Sequence, residues 1–490
     1  MKTKQEYIDS LRELDLKVYM FGKRVENVVD HPIIRPSLNS LAATFEYAEK
    51  PEYEDLMVAT SHLTGKKINR FTHIHQNSDD LVKKIKMQRM LGQQTASCFQ
   101  RCVGMDAANA LYSTTYDMDK ANGTNYHERF VKYWTWIQDE DLVVDGAMTD
   151  TKGDRGKSPS MQDDPDQYLH VVERRPDGVV VRGAKAHQTG MVNSHEVIVM
   201  PTISLRPEDK DYAISFAVPT DAEGIFMIYG RQSCDTRKLE EGADIDLGNN
   251  TYGGTEALVI FDNVFVPNER IFMDGETEFA GSIVERFAGF HRQSYVCKVG
   301  VGDVLIGAAA LAADYNGVPR ASHIRDKLIE MVHLNETMYC CGLACSHEGH
   351  ATASGSYEID MMLANVNKQN VTRFPYELAR LAQDIAGGLM VTQPSEADLR
   401  DETLGPYIRK YLRGRSDVAT ENRLRVNRLI ENLTLGTAAV GYLTESMHGA
   451  GSPQAQRIMI QRQCNMEAKK ALAKRIAHID DSLNGENTEH

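Results

Sequence analysis

Apolar residues recur along the chain with two different periods, and the period changes twice. Up to about residue 138 they recur at three- and four-residue intervals, as in Ser78–Gly92 (SDDLVKKIKMQRMLG), which opens with a Ser/Asp capping cluster. Short β-branched runs separated by turns, such as HEVIVMP and DYAISFAVPT, fill about Asp141 to Phe272. The helical period returns from about Thr277 in long segments. The pattern predicts helices, then a compact β region, then a helical bundle.

These changes of period divide the chain into an N-terminal helical domain (1–138), a middle β domain (139–276) and a C-terminal helical bundle (277–490). The chain has 490 residues, more than a single hydrophobic core usually holds, so more than one core is expected. Asp177-Gly178 lies between two β-branched runs and predicts a hairpin. We therefore predict an α+β fold.

The formal charge of −14 argues against a nucleic-acid or anionic-membrane surface. We find no uninterrupted apolar stretch long enough to cross a bilayer, and the first residues lack the apolar centre of a signal peptide. We predict a cytoplasmic protein that binds neither nucleic acid nor membrane. The 8 cysteines are too few for a disulfide scaffold, so free thiols are expected.

Cys98 and Cys102 lie four residues apart in a segment whose pattern is helical (QTASCFQRCVGMDAANAL). That spacing would place both sulfurs on one helix face, close enough to share a metal or a cluster. Small buried residues also repeat at this step, so the pair alone does not establish a metal site.

His291, Tyr295 and Lys298 fall on one face of an ideal helix, whereas Cys297 points about 120° away from His291. If His291 and Cys297 bind one metal or cluster, the helix must break between them. We therefore predict irregular backbone within about Tyr295–Lys298, such as a π-bulge or an unwound turn. The alternative interpretation is a buried histidine and a packed thiol.

A second group of possible ligands, Cys341, Cys345, His347 and His350, occurs within one short segment. It lacks the two-residue cysteine spacing of zinc modules and the four-residue histidine spacing of zinc-hydrolase helices. Packing of the cysteines in a helix interior is the favoured interpretation, and a structural zinc on a non-enzymatic scaffold is the alternative.

Polar segments at Thr149–Arg155, Arg182–Gly190 and Gln383–Gly388 follow strands or end a helix, and each is by default a turn or a cap. Together they could line a flavin between a β region and helices. No G-x-G-x-x-G follows a strand, so a Rossmann dinucleotide site is not indicated. Glu256 and Glu445 adjoin apolar sequence, where burial could give a carboxyl the raised pKa of a general acid.

Several segments resemble the 4-hydroxybutyryl-CoA dehydratase family, which also carries vinylacetyl-CoA isomerase activity. They are MQRMLGQQTASCFQRCVGMDA, VDGAMTDTKGDRG, RGAKAHQTG, MIYGRQSCDTRKLEEGADIDLGN, ERFAGFHRQSY, QDIAGGLMVTQPSEAD and TESMHGAGSPQAQRIMI. The resemblance covers nearly the whole chain. It implies an acyl-CoA dehydrogenase-like fold with a middle antiparallel β domain, and a homotetramer whose flavin site is shared between subunits. The wider group includes flavin-dependent aromatic hydroxylases without cluster ligands, which are the alternative function.

The resemblance also implies FAD and a [4Fe–4S] cluster as cofactors. The implied cluster ligands are Cys98, Cys102, His291 and Cys297. The implied flavin contacts are Met148, Thr149, Asp150, Arg155, His187, Gln188, Thr189, Gln383, Gly387 and Gly388. The implied active-site residues are Gln100, Glu256, His291, Tyr295, Lys298 and Glu445.

The implied reaction is dehydration of 4-hydroxybutyryl-CoA to crotonyl-CoA, together with isomerisation of vinylacetyl-CoA to crotonyl-CoA. The thioester acidifies the C2 proton but not the C3 proton, so a simple base cannot complete the elimination. The family mechanism is a radical one, in which the flavin takes one electron and later returns it. We expect His291 to be a dissociable ligand and the base, with Tyr295 and Glu445 orienting substrate or water, in an oxygen-sensitive enzyme.

Overall fold

The computed structural model describes residues 1–481 of the chain. The part before residue 140 is mostly helical, as predicted. Its short strands were not predicted, because two or three residues are too few to show a period. The elements are α1 (Lys4–Arg12), β1 (Val18–Met20), β2 (Lys23–Arg24), α2 (Arg35–Glu46), α3 (Glu54–Met57), β3 (Val58–Thr60), β4 (Lys67–Asn69), α4 (Ser78–Thr95), α5 (Cys102–Asn122) and α6 (Tyr126–Asp139).

The middle of the chain forms the strands β5 (Val144–Ala147), β6 (His170–Arg175), β7 (Gly178–Gln188), β8 (Glu196–Val199), β9 (Ile214–Pro219), β10 (Ile225–Tyr229), β11 (Ala257–Pro267) and β12 (Ile271–Asp274). One sheet has the strand order β2-β1-β10-β11-β7-β6, and another has the order β12-β9-β8-β5. The inward side chains of both sheets share one hydrophobic core with α5 and α6.

The middle domain was predicted to be antiparallel, and most of its strand pairs are, but β5–β8 and β1–β10 are parallel. Each of these pairs joins strands that are distant in sequence, so a long connection can return the chain in the same direction. The predicted hairpin is confirmed between β6 and β7. Arg175 pairs with Gly178, which leaves Pro176-Asp177 as the turn, one residue earlier than the sequence suggested.

The remaining described residues are mainly helical, as predicted. They form α7 (Thr277–Ser294), α8 (Cys297–Tyr315), α9 (Ser322–His347), β13 (His350–Ala351), β14 (Tyr357–Glu358), α10 (Met361–Val371), α11 (Phe374–Ala386), α12 (Leu389–Thr392), α13 (Glu396–Arg400), α14 (Gly405–Tyr411), α15 (Thr420–Thr434), α16 (Thr437–Ala439), a π-helical turn (Val440–Thr444), α17 (Glu445–His448), α18 (Pro453–Gln463) and α19 (Met466–Ile476). Residues 482–490 of the predicted C-terminal bundle lie outside the described residues.

One stretch of the described chain, Thr277–Tyr315, has the length and apolar composition of a membrane span, and its most apolar 18-residue window has a mean hydropathy of 1.8. No such stretch was predicted from the sequence. Within the molecule 67% of its most apolar window is buried, and the helix is interrupted at Tyr295–Val296 between α7 and α8. We therefore interpret α7 and α8 as core helices of the bundle.

The helices α4 and α8 cross at backbone contact. A Cβ atom added to Gly300 would lie 2.1 Å from the Arg89 carbonyl oxygen, and one added to Gly92 would lie 2.6 Å from the Cys297 carbonyl oxygen. Neither carbonyl can move without disturbing its helix, so both positions require glycine. This crossing brings the C-terminal end of α4 next to the first turn of α8.

Gly300→Ala should lower the free energy of unfolding by about 1–3 kcal/mol, because the added methyl group overpacks the helix crossing. Gly307→Ala is the matched control on the same helix, since nothing lies within 4 Å of its added Cβ. That variant should be neutral or gain up to about 1 kcal/mol from higher helix propensity. Urea midpoints of the two variants measure the difference, and equal midpoints would contradict the close crossing.

Candidate active site

Cys98 and Cys102 do not share a helix face, contrary to the prediction from their spacing. The helix α4 ends at Thr95, Ala96 has a φ of +48° and Gln100 a φ of +68°, so Cys98 lies in a loop. Cys102 is the first residue of α5. This break could not be predicted from the sequence, because no glycine or proline stands between Gln93 and Arg101.

The loop nevertheless brings three free thiols into one buried region. Cys102 and Cys297 belong to the same hydrophobic cluster. Burial raises the pKa of Cys98 to about 12 and that of Cys297 to about 11, although Lys298 opposes both shifts. Burial also raises the pKa of Cys102 well above its usual value, and Cys98 and Cys297 raise it further. Burial is the largest cause for all three thiols, so a nearby cation would favour their thiolate forms.

The interruption predicted between His291 and Cys297 is confirmed at Tyr295–Val296. Its form differs from a π-bulge. The Val296 N–H donates to the Gln293 carbonyl at 3.1 Å and the Lys298 N–H donates to the Tyr295 carbonyl at 3.0 Å, which are tight three-residue steps. Cys297 then begins α8 as its first residue. The π-helical turn occurs instead at Val440–Thr444, directly before Glu445.

His291 is held by a fully buried carboxylate. His291 Nδ1 lies 2.8 Å from Asp106 Oδ2, and Lys84 Nζ and the Ser294 hydroxyl also donate to Asp106, at 2.7 and 2.8 Å. Burial would raise the pKa of Asp106, but Lys84 and His291 outweigh it, so the pKa lies below its usual value. An ionised Asp106 fixes the proton on Nδ1 and leaves Nε2 of His291 as the nitrogen that can bind a metal or accept a proton.

Asp106 also lies one helical turn after Cys102 on α5, which places the imidazole beside the thiols. Three thiols and one imidazole are soft donors that suit an iron–sulfur cluster or zinc. In residues 1–481, no three His, Cys, Asp or Glu side chains converge on the position of a single metal ion.

Tyr295, Lys298 and Glu445 form one hydrogen-bonded group. The Tyr295 hydroxyl donates to Glu445 Oε1 at 2.5 Å, and Lys298 Nζ donates to Glu445 Oε2 and to the Gly441 carbonyl, both at 2.7 Å. Burial would raise the pKa of Glu445, but Lys298 and Lys368 outweigh it and hold the pKa below its usual value. Glu445 is therefore ionised at neutral pH.

Glu256, the residue before β11, has the opposite environment. The Thr189 hydroxyl donates to Glu256 Oε1 at 2.7 Å, while Oε2 is buried without a partner among the described residues. Burial raises the pKa of Glu256 well above its usual value, and the negative charge of Glu445 raises it further. Glu256 is therefore protonated under conditions in which Glu445 is ionised.

The segments after β5 and at the end of β7 lie side by side, joined by an isolated bridge between Asp150 and Lys185. The Asp150 carboxylate has its partners within the subunit: it pairs with Lys185 at 2.9 Å and accepts a hydrogen bond from the Leu169 N–H at 2.9 Å. Its side chain shapes the turn rather than facing a ligand. The accessible members of this group are the exposed Arg155 and His187, the latter with a φ of +60°.

Gln383, Gly387 and Gly388 lie at the C-terminal end of α11, as predicted. Gly387 has a φ of +75°, both glycines are exposed, and nothing lies within 4 Å of a Cβ added to either. Within the described chain, no hydrogen bond joins this helix end to the segments Met148–Arg155 and His187–Thr189. The residues predicted to bind flavin thus form two separate groups in one subunit.

Gln100 is not part of the acid–base group. Its Nε2 donates to the Ser37 carbonyl and its Oε1 accepts from Asn193 Nδ2, both at 2.8 Å, so both ends of the amide are occupied. The alternative zinc ligands are not brought together either. Cys345 donates to the Gly342 carbonyl at 3.2 Å inside α9, while His350 is exposed on β13.

The sequence analysis missed Lys84 and Asp106, whose side chains have no solvent exposure. A charged residue inside an apolar helical run, as in VGMDAANAL, is the signal that could have found them. A cavity of about 540 Å³ was not predicted, and it opens between β3–β4 and the N-terminal end of α4. It lies at the opposite end of α4 from the thiols, so we assign it no part in the chemistry.

Comparison with known proteins identifies relatives over the whole length. The family models 4-hydroxyphenylacetate 3-hydroxylase N terminal and C terminal match residues 3–273 and 280–478. The 4-hydroxybutyryl-CoA dehydratase/vinylacetyl-CoA-Δ-isomerase of Clostridium aminobutyricum is 66% identical over 488 residues, which cover 98% of this chain and 100% of that protein.

Solved structures agree with these relatives. An oxygen-tolerant archaeal 4-hydroxybutyryl-CoA dehydratase from N. maritimus superposes with a TM-score of 0.96 at 59% identity, covering 100% of this chain and 96% of that one. The oxygenase component of 4-hydroxyphenylacetate 3-monooxygenase, complexed with FAD, superposes with a TM-score of 0.85 at 23% identity over 99% of both chains. The predicted α+β, acyl-CoA dehydrogenase-like fold is confirmed.

Asp106→Asn should lower the free energy of unfolding by about 3–5 kcal/mol, because it leaves the Lys84 ammonium buried without its counter-ion. The double variant Lys84→Met/Asp106→Asn should lose less than the sum of the two single variants, since neither charge then remains. Urea denaturation of the four proteins measures the coupling. Additive losses would show that the two groups do not form a functional ion pair.

Proposed function

This chain belongs to the 4-hydroxybutyryl-CoA dehydratase/vinylacetyl-CoA-Δ-isomerase family, a branch of the 4-hydroxyphenylacetate 3-hydroxylase family, and we propose that it dehydrates 4-hydroxybutyryl-CoA to crotonyl-CoA. The same site would isomerise vinylacetyl-CoA to crotonyl-CoA. The observation that carries the proposal is the set of buried Cys102, Cys297 and His291 with the half-buried Cys98, together with two carboxyls whose pKa values are shifted in opposite directions. An aromatic hydroxylase has no use for such a donor set.

Both activities begin with loss of the C2 proton, which the thioester acidifies. His291 is a dissociable ligand and the base in this proposal, because Asp106 holds Nδ1, and Nε2 can accept the proton once it is not bound to a metal. When bound, FAD would supply the one-electron chemistry that acidifies C3, and a [4Fe–4S] cluster held by Cys98, Cys102, Cys297 and His291 would supply a Lewis acid for the hydroxyl group.

The two carboxyl groups have different roles in the proposal. Protonated Glu256 donates a proton to the departing hydroxide, which leaves as water. Ionised Glu445 orients substrate or water together with the Tyr295 hydroxyl, while Lys298 fixes the carboxylate. Sites with an acid and a base usually contain two titratable groups whose environments shift their pKa values in opposite directions.

The flavin contacts proposed are Met148–Arg155, His187–Thr189 and Gln383–Gly388. The first two groups lie together. The third is the exposed end of α11, where nothing in the subunit lies within 4 Å of a Cβ added to Gly387 or Gly388. An exposed helix end that is open to a neighbouring subunit supports a flavin that lies between subunits, and hence a homotetramer with shared flavin sites. Exposed apolar side chains on α18 and α19, namely Ile458, Met466, Leu472 and Ile476, support the same assembly.

We further propose that the protein acts in the cytoplasm. Oxygen sensitivity stays a prediction for this chain. One relative is described as oxygen tolerant, so the activity of aerobic and anaerobic preparations should be compared.

Anaerobically purified protein should convert 4-hydroxybutyryl-CoA to crotonyl-CoA and show a flavin spectrum with a broad brown shoulder. Chromatography of the CoA esters and an absorbance spectrum measure both. A flavin spectrum without the shoulder would favour the aromatic hydroxylase, and a featureless visible region would favour the zinc scaffold. A protein that carries both chromophores and forms no crotonyl-CoA would refute the proposal.

Cys98→Ala or Cys102→Ala should remove the iron and abolish dehydration, because each takes away a proposed cluster ligand. Cys345→Ala is the control, since that thiol only donates to a carbonyl within α9. It should keep both iron and activity. Iron per protomer and crotonyl-CoA formation are measured for all three variants, and equal iron loss in all of them, or in none, would show that the wrong cysteines were chosen.

A further inference from the structure

Lys368, near the C-terminal end of α10, is a fully buried lysine. The other lysines with buried side chains each form an ion pair: Lys84 with Asp106 at 2.7 Å, Lys185 with Asp150 at 2.9 Å and Lys298 with Glu445 at 2.7 Å. Lys368 forms no ion pair among the described residues, although its exposure is 0%. Burial lowers the pKa of Lys368 well below its usual value, and the charge of Glu445 opposes that shift. Burying a lysine without a carboxylate in direct contact is costly, so its position calls for a physical cause.

Lys368 contacts groups at both ends of the hydrogen bond between Tyr295 and Glu445. Lys368 Nζ lies 3.3 Å from the centroid of the Tyr295 ring and donates to the Ser446 carbonyl. Tyr295 donates its hydroxyl proton to Glu445, the residue before Ser446. The lysine therefore touches the ring of the donor and the backbone next to the acceptor.

The hydroxyl group of Tyr295 has little freedom in this arrangement. A Cβ atom added to Gly449 would lie 1.6 Å from Tyr295 Oη and 2.9 Å from Glu445 Oε1. Tyr295 also follows the last residue of α7, where the helix is interrupted and holds the ring less firmly than a continuous helix would. A cation against the ring face supplies the missing constraint, since an ammonium group over an aromatic ring is attracted by the π electrons.

We propose that Lys368 is a positioning residue for the dehydration and isomerisation reactions: it fixes the Tyr295 ring and the turn at Ser446, so that the Tyr295 hydroxyl stays bonded to Glu445. This inference rests on the proposed function. Lys368 acts through Tyr295 and Glu445 and exchanges no proton with the substrate.

The charges around Glu445 give the proposal a second consequence. Glu445 faces Lys298, Lys368 and the Tyr295 hydroxyl, and it influences Glu256 on the sheet side. Loss of the Lys368 charge removes one of the two cations that keep the pKa of Glu445 low. The acid limb of the kcat/KM profile should then move to higher pH, because ionised Glu445 is the form that orients the substrate.

The test compares Lys368→Met, which keeps the side-chain length, with Lys368→Arg, which keeps the cation. Lys368→Met should lower kcat for both reactions by about 10- to 100-fold with KM, flavin and iron content unchanged, because a small misplacement of an orienting group is costly. Lys368→Arg should recover most of that loss. Lys83→Met, at a partly exposed lysine paired with Asp55, is the control and should keep wild-type kcat.

A double-mutant cycle separates positioning from general stability. In the Tyr295→Phe background, Lys368→Met should have little further effect on kcat, because the bond it protects is already gone. Multiplicative losses in the double variant, or wild-type kcat in Lys368→Met, would overturn the proposal. If Lys368→Met fails to fold, Lys368→Gln takes its place, since it keeps a donor for the Ser446 carbonyl and lacks only the charge.

A crystal structure of the variant gives a readout without turnover. The distance from Tyr295 Oη to Glu445 Oε1 should lengthen beyond hydrogen-bonding range in Lys368→Met, and an unchanged distance would overturn the inference. Wild-type protein that forms no crotonyl-CoA would refute the proposed function, whereas an unchanged distance refutes only the role of Lys368. The two failures are therefore distinguishable.

Discussion

The buried carboxylate of Asp106 is the interaction on which the rest of the site depends. It forms hydrogen bonds with Lys84 on α4 and with His291 and Ser294 on α7. Asp106 itself lies on α5, one turn after Cys102. Three helices from two regions of the chain are thus fixed at one point with no solvent exposure. An ion pair in such a place adds little net stability, because desolvation offsets the attraction. Its contribution is to orient the His291 imidazole, which is held through Nδ1 while all three partners are in place.

The second constraint is close backbone approach. Gly92 and Gly300 let α4 and α8 touch, which places the loop of Cys98 beside the first turn of α8. Gly449 leaves room for the Tyr295 hydroxyl between the chain and Glu445. Larger residues would separate these elements by more than the length of a hydrogen bond. The interruption at Tyr295–Val296 has a related effect, because a break of two residues between α7 and α8 changes where Cys297 points relative to His291.

The sequence predicted the order of helices and strands, the hairpin at β6–β7 and the break in the long apolar helix, because each depends on periodicity or on helix geometry over a few residues. It failed at Cys98, where the chain leaves α4 without a glycine or proline and Gln100 adopts a positive φ. It also missed Lys84, Asp106 and Lys368. Their burial results from packing between helices distant in the chain, and a charged residue in a helical pattern is usually exposed. The parallel pairs β1–β10 and β5–β8 were missed for the same reason, since register between distant strands leaves no local signal.

The chemistry of the site follows from where the lysines lie. Glu256 and Glu445 are similar carboxyl groups, yet one is driven to keep its proton and the other to lose it. Burial acts on both in the same direction, so it cannot distinguish them. The difference comes from Lys298, which donates to Glu445 from α8, and from the charge of Lys368 on α10, whereas Glu256 lies at the start of β11 beside Thr189. Separate regions of the fold therefore supply the protonated and the ionised carboxyl group. Their opposite protonation depends on the packing of the β sheets against the helical bundle, because Glu445 and its lysines belong to the bundle and Glu256 does not.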